Sequence, residues 1–549
     1  MKQQQKRHPK PHRVGMISLG CAKNLVDAEI MLGSLLKEGI EITNDVAQAD
    51  AVIVNTCSFI DAAQEESVDT ILESAEVREA KNRGQALIVS GCLPQRFRDE
   101  LPKLLPEVDA FMGIDQVADA PRIVEETIAR RRANHQARRQ ASSDRGQEIK
   151  TRLAEAERSV NPTPVHQAPL IEVNLRPNYI PDYGTARFRL TPKHFAYVKI
   201  AEGCNHPCSF CIIPRMRGSH RSRQQADVVA EAKALIAEGV KELNLISQDS
   251  TYYGLDLRTN HSRAIAGPEK FNAAVNALPA GATTICSLVR ELNALEGDFW
   301  VRLLYTHPAH WTDELIQTIA ECPKVARYVD IPLQHIHENM LERMRRETSQ
   351  QHIVDLIRRI RAGVPGIALR TTFIVGFPGE TEEYFETLLD FVRETRFERL
   401  GVFTYSQEEG TRAGKMAGQL PEKVKQRRRE LAMAAQHDVA VAVAESFVGR
   451  TMKVLVEGEA SARQLKEAKV SSWEHGLLRQ AVNSGLNKLN GLNEKKYLVA
   501  RGEADAPDID GRIYLKVQSP AQGRRPQTGE FTQVRIIGHT DYDLVGDLE

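Results

Sequence analysis

The sequence predicts an α/β protein in three parts: an N-terminal domain with a parallel sheet, a central partial (β/α)6 barrel, and a small C-terminal β-barrel. Near-continuous apolar runs alternate with helical stretches over residues 13–128 and again over 193–446, which is typical of parallel β/α units. After residue 447 this alternation gives way to short β-type segments, which predict the third part.

Length and composition fit a cytoplasmic protein of several domains. The chain has 549 residues, with 42% hydrophobic and 27% charged side chains, which allow a well-buried core. Its 73 basic and 73 acidic residues predict no strong affinity for polyanions. No apolar run approaches the about 18 to 20 residues that span a membrane, and the basic tail of residues 1–12 leads into no signal-type core. In such a protein cysteines serve as metal ligands more readily than as disulfides.

Three apolar runs in the N-terminal domain each end at a lone cysteine, at Cys21, Cys57 and Cys92. The intervals of 36 and 35 residues each match one strand–helix–strand unit. Because parallel strands end at one edge of a sheet, these cysteines should meet in space. Three cysteines at equivalent positions predict an iron–sulfur cluster. The alternative is that each is a small buried hydrophobic residue.

A second cysteine motif follows the predicted strand Phe195–Ile200, with C-x3-C-x2-C spacing at Cys204, Cys208 and Cys211. Three soft thiolates suit an iron–sulfur cluster or zinc. Structural zinc needs a fourth ligand, which only His206 or His220 could supply nearby. A cubane cluster held by three cysteines instead leaves one iron open to a substrate, which is a catalytic arrangement.

Chemically useful residues follow the other predicted strands of residues 193–446, where a barrel places its active groups. They are Ser247, Gln248, Asp249, Gln334, Ile374, Gly376 and Glu380. His307 and His335 lie at similar positions, where a structural role fits as well as a catalytic one. Arg217 could pair with a carboxylate or cap its loop.

The remaining segments carry no clear motif. Residues 129–192 are polar and rich in proline, which predicts a mobile linker with one helical piece. Residues 255–287 and about 460–495 look like surface insertions. Cys286 and Cys322 lack partners at ligand spacing and are predicted to be ordinary buried thiols.

The C-x3-C-x2-C loop resembles that of the radical S-adenosylmethionine (SAM) superfamily. The resemblance implies that Cys204, Cys208 and Cys211 hold a 4Fe–4S cluster whose open iron binds SAM. Ser247 to Asp249 then correspond to the methionine-binding strand end. Ile374, Gly376 and Glu380 resemble the G-x-I-x-G-x-x-E segment near ribose and adenine, although Thr372 replaces the first glycine and Glu380 comes one residue late. Gln334 belongs to the same expected cofactor site.

The N-terminal domain resembles that of the methylthiotransferases. The matching segments are Ser18–Asn24, Val54–Cys57 and Gly91–Cys92. The resemblance implies an auxiliary 4Fe–4S cluster on Cys21, Cys57 and Cys92, whose free iron receives the sulfur to be transferred. It also implies that residues 447–549 are a TRAM-like domain.

Residues 503–511 resemble the D-A-P-E-I-D-G run of the ribosomal protein uS12 methylthiotransferases, with Asp508 replacing the glutamate. Without the 460–495 insertion, residues 447–549 hold 9 basic and 11 acidic residues, which we expect to suit a basic protein partner. The resemblance implies methylthiolation of an aspartate β-carbon in uS12 on the small ribosomal subunit. It also implies a monomer supplied with electrons by a ferredoxin or flavodoxin. The alternatives are a tRNA adenosine 2-methylthiotransferase and a non-enzymatic iron–sulfur RNA-binding adaptor.

Overall fold

The computed structural model describes residues 10–152, 168–258, 267–461, 496–516 and 525–549. The chain divides into two compact units. The first comprises Met1–Leu190 and Arg215–Gly218, and the second comprises Thr191–Pro214 and Ser219–Glu549. The central and C-terminal barrels therefore belong to one unit. In the described ranges, every helix is too short or too polar to cross a bilayer.

The first unit is built on a parallel sheet with the strand order β2-β1-β3-β4-β5-β6. Its strands are β1 (Arg13–Ser18), β2 (Glu41–Ile42), β3 (Ala51–Thr56), β4 (Ala86–Gly91), β5 (Ala110–Met112) and β6 (Leu170–Glu172). Its helices are α1 (Ala22–Lys37), α2 (Asp61–Lys81), α3 (Cys92–Arg96), α4 (Leu101–Leu104) and α5 (Ala120–Arg152). Every residue of β3 and β4 is buried, as expected for apolar strands covered on both faces. The order reverses between β1 and β3, where such sheets bind ligands beyond the strand ends.

The segment expected to be a linker contains the expected helical piece, but both of its described parts are joined to regular structure of the first unit. Residues 129–152 continue helix α5, because alanine, arginine and glutamine are strong helix formers even without an apolar face. After residue 168 the chain adds β6 to the sheet and then packs on α1. There Arg187 forms an ion pair with the buried Glu29 at 2.5 Å. Residues 153–167 of the expected linker lie outside the described residues.

The second unit begins with a partial barrel of six parallel strands in the order β14-β13-β12-β11-β10-β7, which confirms the predicted fold. These strands are β7 (Phe195–Lys199), β10 (Glu242–Ile246), β11 (Trp300–Leu303), β12 (Val325–Asp330), β13 (Ala368–Val375) and β14 (Arg399–Thr404). A small hairpin pairs β8 (Ala201–Glu202) with β9 (Arg221–Ser222). The helices are α6 (Ile213–Met216), α7 (Gln225–Ala237), α8 (Pro268–Asn276), α9 (Ile285–Ala294), α10 (Asp313–Glu321), α11 (Glu338–Met344), α12 (Gln350–Gly363), α13 (Glu382–Thr395) and α14 (Glu422–Phe447).

The segment expected to be a surface insertion, residues 255–287, is partly buried. Its helix α8 places Phe271 in the interior, stacked on His310 with ring centroids 4.2 Å apart. This helix was not predicted, because its 9 residues are too few to show a clear helical period in the sequence. Cys286 and Cys322 are buried in the barrel core, as predicted. Residues 259–266 lie outside the described residues.

The C-terminal part closes into a barrel with the order β15-β16-β17-β19-β18. Its strands are β15 (Thr451–Ser461), β16 (Lys496–Gly502), β17 (Ile513–Lys516), β18 (Phe531–His539) and β19 (Leu544–Leu548). The sequence predicts the first four of these strands at Met452–Val456, Lys496–Val499, Arg512–Val517 and Phe531–Ile537. It does not predict β19, because Gly546 and Asp547 interrupt the alternation there. Residues 462–495 of the insertion expected at about 460–495 lie outside the described residues.

A buried ionic contact joins this small barrel to the strands of the larger one. The Glu242 carboxylate on β10 has no solvent exposure and pairs with Arg302 at 2.6 Å and with Arg501 at 2.5 Å. Arg302 belongs to β11 and Arg501 to β16, so one carboxylate links the two barrels. Burial opposes ionisation of Glu242, but the two guanidinium groups more than offset it and lower its pKa.

The acidic run of residues 503–511 contributes to the same contact. Asp505 pairs with Arg399, and Asp510 accepts a hydrogen bond of 2.8 Å from the Tyr328 hydroxyl. Both carboxylates are almost fully buried. The expectation that this run presents its charge to a protein partner is therefore wrong for Asp505 and Asp510. Composition gives the number of carboxylates but not their partners.

Candidate functional site

The three N-terminal cysteines lie at the ends of adjacent parallel strands. Strand pairing aligns Ser18 of β1 with Asn55 of β3, and Thr56 of β3 with Gly91 of β4. Cys21, Cys57 and Cys92 follow these positions, so they gather at the edge where the strand order reverses. We call them the N-terminal triad.

Glycine at position 20 makes this approach possible. Gly20 has a φ of +88°, and a Cβ there would lie 2.7 Å from the Cys57 Cβ and 3.2 Å from its Sγ. Real Cβ atoms do not come so close, and side chains rarely adopt this φ. The glycine therefore lets the Cys57 thiol reach the chain that leads into Cys21.

Hydrogen bonds fix the loops that carry the N-terminal triad. The Asn24 side-chain amide on α1 donates to the Leu19 carbonyl at 2.8 Å and to the Thr56 carbonyl at 2.9 Å, which ties the ends of β1 and β3 together. The Ser67 hydroxyl accepts from the Cys57 N–H at 3.1 Å and donates to its carbonyl at 2.9 Å. The backbone is thus held without using the thiols, which leaves them available as ligands.

The electrostatics of the N-terminal triad fit a bound cation. Burial and the neighbouring thiols raise the pKa of Cys57 to about 12, and burial raises the pKa of Cys92. Burial also opposes ionisation of Cys21, but Lys23, Arg217 and the N–H groups at the start of α1 more than offset it and lower its pKa. All three cysteines are free. A metal centre would supply the positive charge that deprotonates buried thiols together.

Cys204, Cys208 and Cys211, which we call the loop triad, follow β8 on a loop held by residues far along the chain. The Ser209 N–H donates to the Met344 carbonyl at 2.9 Å, and its hydroxyl donates to the Arg343 carbonyl at 2.8 Å. Phe210 packs into an apolar cluster that includes Phe377 and Tyr405. The residues between the cysteines therefore anchor the loop.

The loop triad also fits an anionic iron–sulfur centre. Burial raises the pKa of Cys211 to about 12, and it raises the pKa of Cys204 well above its usual value with Asp249 and the other two thiols adding to the shift. Arg346 is buried, and its Nη1 lies 3.4 Å from the Cys208 Sγ. Its Nη2 donates to the Pro332 carbonyl at 2.6 Å, and its Nε has no hydrogen-bond partner among the described residues. An unpaired buried cation is costly, so an anionic cluster would stabilise it. The sequence analysis missed Arg346, which lies 138 residues from Cys208.

Neither candidate for a fourth zinc ligand is directed at the thiols. His206 Nε2 contacts the Asp249 carboxylate at 3.0 Å, and His220 Nε2 contacts the Ser222 hydroxyl at 3.2 Å. His206 also stacks on His307, with centroids 3.6 Å apart and planes 17° apart. Together with His310 they form a buried group of possible metal ligands. A metal ion lies in the plane of each imidazole that binds it, so this parallel stack is poorly arranged for chelation.

The three positions after β10 have different surroundings. The Ser247 hydroxyl is buried 3.1 Å from that of Ser250. The Gln248 amide donates to Glu202 at 2.8 Å, and its Oε1 is buried without a partner in the described chain. An orphaned acceptor of this kind fits a site for a ligand with N–H or O–H donors.

Asp249 is fully occupied by protein partners. One carboxylate oxygen contacts His206 at 3.0 Å and His310 at 2.6 Å, and the other accepts from the Thr251 N–H at 3.1 Å and hydroxyl at 2.5 Å. Burial opposes its ionisation, but the two histidines more than offset it and hold its pKa well below the usual value. The residue therefore holds the cysteine loop through His206.

Gln334, which follows β12, and Glu380, which follows β13, also have different surroundings. Gln334 has a left-handed backbone with a φ of +73°, which is uncommon for a side chain and recurs at functional sites. The buried Glu380 carboxylate contacts His335 at 3.1 Å, the Gly376 N–H at 2.5 Å and Arg428 at 2.7 Å. A direct ribose contact through Glu380 would have to displace one of these partners.

Ile374 packs into the cluster that holds Phe210, so it supports the loop triad from β13. Gly376 has a φ of +75°, and a Cβ there would lie 2.4 Å from the Lys425 Cγ. Its conformational freedom is therefore needed for the approach of α14. Among the predicted positions, Asp249 therefore contacts the cysteine loop through His206, and Ile374 shares the apolar cluster of Phe210.

The chain matches three known families in turn. Residues 13–113 match the family described as "Uncharacterized protein family UPF0004", residues 198–392 the radical SAM superfamily, and residues 489–548 the TRAM domain. Among solved structures, the radical SAM methyltransferase TsrM from Kitasatospora setae aligns over 82% of this chain and 78% of its own, with 14% identity and a TM-score of 0.45. At this TM-score and identity, the alignment assigns no function to the chain.

Full-length relatives are much closer. Proteins called "Ribosomal protein uS12 methylthiotransferase RimO" are 50% identical in Opitutus terrae, 45% in Akkermansia muciniphila and 40% in Geobacter sulfurreducens. The alignments cover 97%, 98% and 98% of this chain, and 96%, 100% and 98% of those proteins. Identity at this level over nearly the whole length confirms the resemblance predicted from the motifs. The chain belongs to the ribosomal protein uS12 methylthiotransferases, a family of radical SAM enzymes.

Proposed function

We propose that this enzyme methylthiolates the β-carbon of an aspartate in ribosomal protein uS12, acting in the cytoplasm on that protein or on the small ribosomal subunit. The observation that carries the proposal is the presence of two separate three-cysteine groups, each built by its own loops. A cluster bound by three cysteines keeps one iron open. Sulfur insertion requires two such sites, because SAM occupies one of them.

The loop triad, Cys204, Cys208 and Cys211, would hold the cluster that binds SAM. That cluster supplies the electron that cleaves SAM, which gives access to C–H bonds that acids and bases cannot break. The protein anchors this loop through Ser209 and Phe210. It also excludes water, since the side chains around the loop are largely buried.

SAM itself requires polar contacts beside the open iron. The free Oε1 of Gln248 and the half-buried Gln334 are the predicted positions best able to provide them. Ser247, Asp249 and Glu380 are not proposed to contact SAM directly. They hold neighbouring groups in place, namely the Ser250 hydroxyl, the His206 ring and the Gly376 N–H. The N-terminal triad, Cys21, Cys57 and Cys92, would hold the auxiliary cluster from which sulfur is transferred.

The substrate is tested in a deletion strain. We expect uS12 from that strain to lack the mass of one methylthio group, while bulk tRNA nucleosides are unchanged. Complementation with the wild-type gene should restore the mass. Normal uS12 together with loss of a methylthiolated adenosine would refute the uS12 assignment and support the tRNA alternative.

The functions of the two triads are distinguished with variants of the purified, reconstituted enzyme. We expect Cys208→Ala to abolish both the cleavage of SAM to 5′-deoxyadenosine and the product. Cys57→Ala should retain SAM cleavage and lose methylthiolation of uS12. Product formation by Cys57→Ala would contradict the role of the auxiliary cluster, and absence of SAM cleavage in the wild type would favour the adaptor alternative.

A further inference from the structure

Arg217 lies beside the N-terminal triad although it follows Cys211 of the loop triad by only six residues. It belongs to the short segment Arg215–Gly218, which is part of the first unit while its chain neighbours belong to the second. Its side chain is 2% exposed. The sequence left its role open, and the structure shows that it pairs with a carboxylate.

The Arg217 guanidinium contacts Asp27, Asn24 and Cys92. Nη1 and Nη2 each lie 3.1 Å from one oxygen of the buried Asp27. Nη2 also donates to the Asn24 side-chain oxygen at 3.0 Å and lies 3.4 Å from the Cys92 Sγ. Asp27 and Asn24 are one turn apart on α1, the helix that begins directly after Cys21. One guanidinium is thus fixed on the helix of one cysteine and directed at the sulfur of another.

Stability alone is a weak reason for this arrangement. Burying an ion pair costs desolvation that often cancels its Coulombic gain, and an apolar pair of similar volume is frequently as stable. The contact with Cys92 gives the arginine a different purpose. Hydrogen bonds to ligand sulfurs and nearby positive charge are among the main determinants of iron–sulfur reduction potentials.

The guanidinium places a positive charge and an N–H donor 3.4 Å from the Cys92 Sγ. A group that stabilises anionic sulfur also stabilises the more negative, reduced form of a cluster bound to that sulfur.

We propose that Arg217 is a positioning residue that sets the reduction potential of the auxiliary cluster by donating an N–H to the Cys92 sulfur, with Asp27 and Asn24 holding its guanidinium in place. This inference rests on the proposed function, because it requires that the N-terminal triad hold a cluster. It goes further by assigning the control of that cluster to a residue outside the triad.

Arg346 provides a matched comparison at the other cluster. Both guanidinium groups are buried, and both lie 3.4 Å from one cysteine sulfur. They differ in their other partners, since Arg217 is paired with Asp27 while Arg346 donates to the Pro332 carbonyl. Each arginine should therefore act on the potential of its own cluster.

The test is a redox titration of the full-length reconstituted chain, monitored by the electron paramagnetic resonance of each reduced cluster. Iron and sulfide are measured first, because they show whether the N-terminal triad is loaded. Full chains in which either triad is replaced by alanine assign the two signals. The variants are Arg217→Gln, Arg217→Lys, Arg217→Gln with Asp27→Asn, and Arg346→Gln.

We expect Arg217→Gln to lower the potential of the auxiliary cluster. Losing a charge-assisted hydrogen bond should change the ratio of reduced to oxidised cluster about tenfold, or about 59 mV for one electron. The double variant should show a smaller shift, because it removes the negative charge of Asp27 together with the positive charge of Arg217. Arg217→Lys should stay closest to wild type. Arg346→Gln should move only the SAM-binding cluster.

Two results would overturn the inference. One is a loaded Arg217→Gln cluster with the wild-type potential, and the other is an equal shift of both clusters in either arginine variant. If Arg217→Gln does not retain its cluster, the double variant and Arg217→Lys decide by the same criterion. A wild-type chain that binds no cluster at the N-terminal triad would instead refute the proposed function, and with it this inference.

Discussion

The Glu242 contact between the two barrels gives the sharpest stability prediction. Glu242→Gln keeps the size of the side chain and removes its charge. The carboxylate is fully buried between Arg302 and Arg501, which are themselves buried. The substitution therefore leaves two guanidinium groups without this anion in a region closed to water.

The expected cost follows from that burial. Removing one partner of a buried ion pair destabilises by about 3 to 5 kcal/mol, because the remaining charge is uncompensated. Two cations depend on Glu242, but Arg501 also contacts Glu457 at 2.9 Å, which retains part of the compensation. We therefore expect a loss of about 4 kcal/mol in the free energy of unfolding of this unit.

Urea unfolding of the apoprotein under reducing conditions measures this loss. Trp300 lies at the same contact, edge-to-face with Phe531 at 4.7 Å between centroids, so its fluorescence reports separation of the barrels. A Trp300→Phe variant identifies that signal among the 3 tryptophans of the chain. We expect the Trp300 transition of Glu242→Gln to move to lower urea.

Asp298→Asn is the control. It breaks an ion pair with Lys453 that joins the same two barrels, but the two side chains are 63% and 35% exposed. Exposed pairs contribute about 0 to 1 kcal/mol, so the urea midpoint should hardly change. If Glu242→Gln shifted the transition no more than Asp298→Asn, the inference that the buried contact joins the barrels would be refuted.

Three further predictions concern single side chains. Gly20→Ala should reduce bound iron by about half, because the added Cβ would clash with Cys57. Gly39 also has a positive φ, but a Cβ there would meet no atom within 4 Å, so Gly39→Ala should bind iron normally. Equal iron in both variants would contradict this prediction. Asp249→Asn should weaken iron binding at the loop triad about 10- to 100-fold in a chelator competition, since two histidines lose their shared anion, and unchanged retention would exclude that role. The pKa of Glu457 is lowered to about 2, because Arg501 and a histidine more than offset the effect of burial. Its contribution to stability is present above the unfolded value of about 4.3 and is lost as the pH falls towards 2, so Glu457→Gln should destabilise the apoprotein at pH 7 and have little effect near pH 2.

The parts of the fold that could be predicted are those that depend on patterns within a short segment of sequence. The sequence predicts the central strands at Phe195–Ile200, Glu242–Ile246, Trp300–Leu304, Ala326–Ile331, Leu369–Val375 and Leu400–Phe403. Each observed strand begins and ends within one residue of these bounds, because apolar β-branched runs bounded by turns are a property of the segment itself. The gathering of Cys21, Cys57 and Cys92 followed from the same pattern, since parallel strands fix where successive ends lie.

Pairings between distant residues could not be predicted. Arg217 and Asp27 are 190 residues apart, and Arg399 and Asp505 are 106 apart, so no periodicity connects them. The acidic run at 503–511 shows the consequence. Its acidic composition predicts a surface that suits a basic partner, whereas Asp505 is enclosed by the protein. The length of helix α5 was not predicted beyond one helical piece, because residues 129–152 carry no apolar stripe.

The shared carboxylate of Glu242 limits how members of this family can exchange parts. A C-terminal barrel grafted from a relative would have to supply a cation for Glu242 and an anion for Arg399, as Arg501 and Asp505 do in this chain. Substrate range should therefore be altered by changing exposed loops of this barrel rather than by transplanting it whole. Transplants that ignore these charges would be selected against as poorly folded chains before their specificity could be observed.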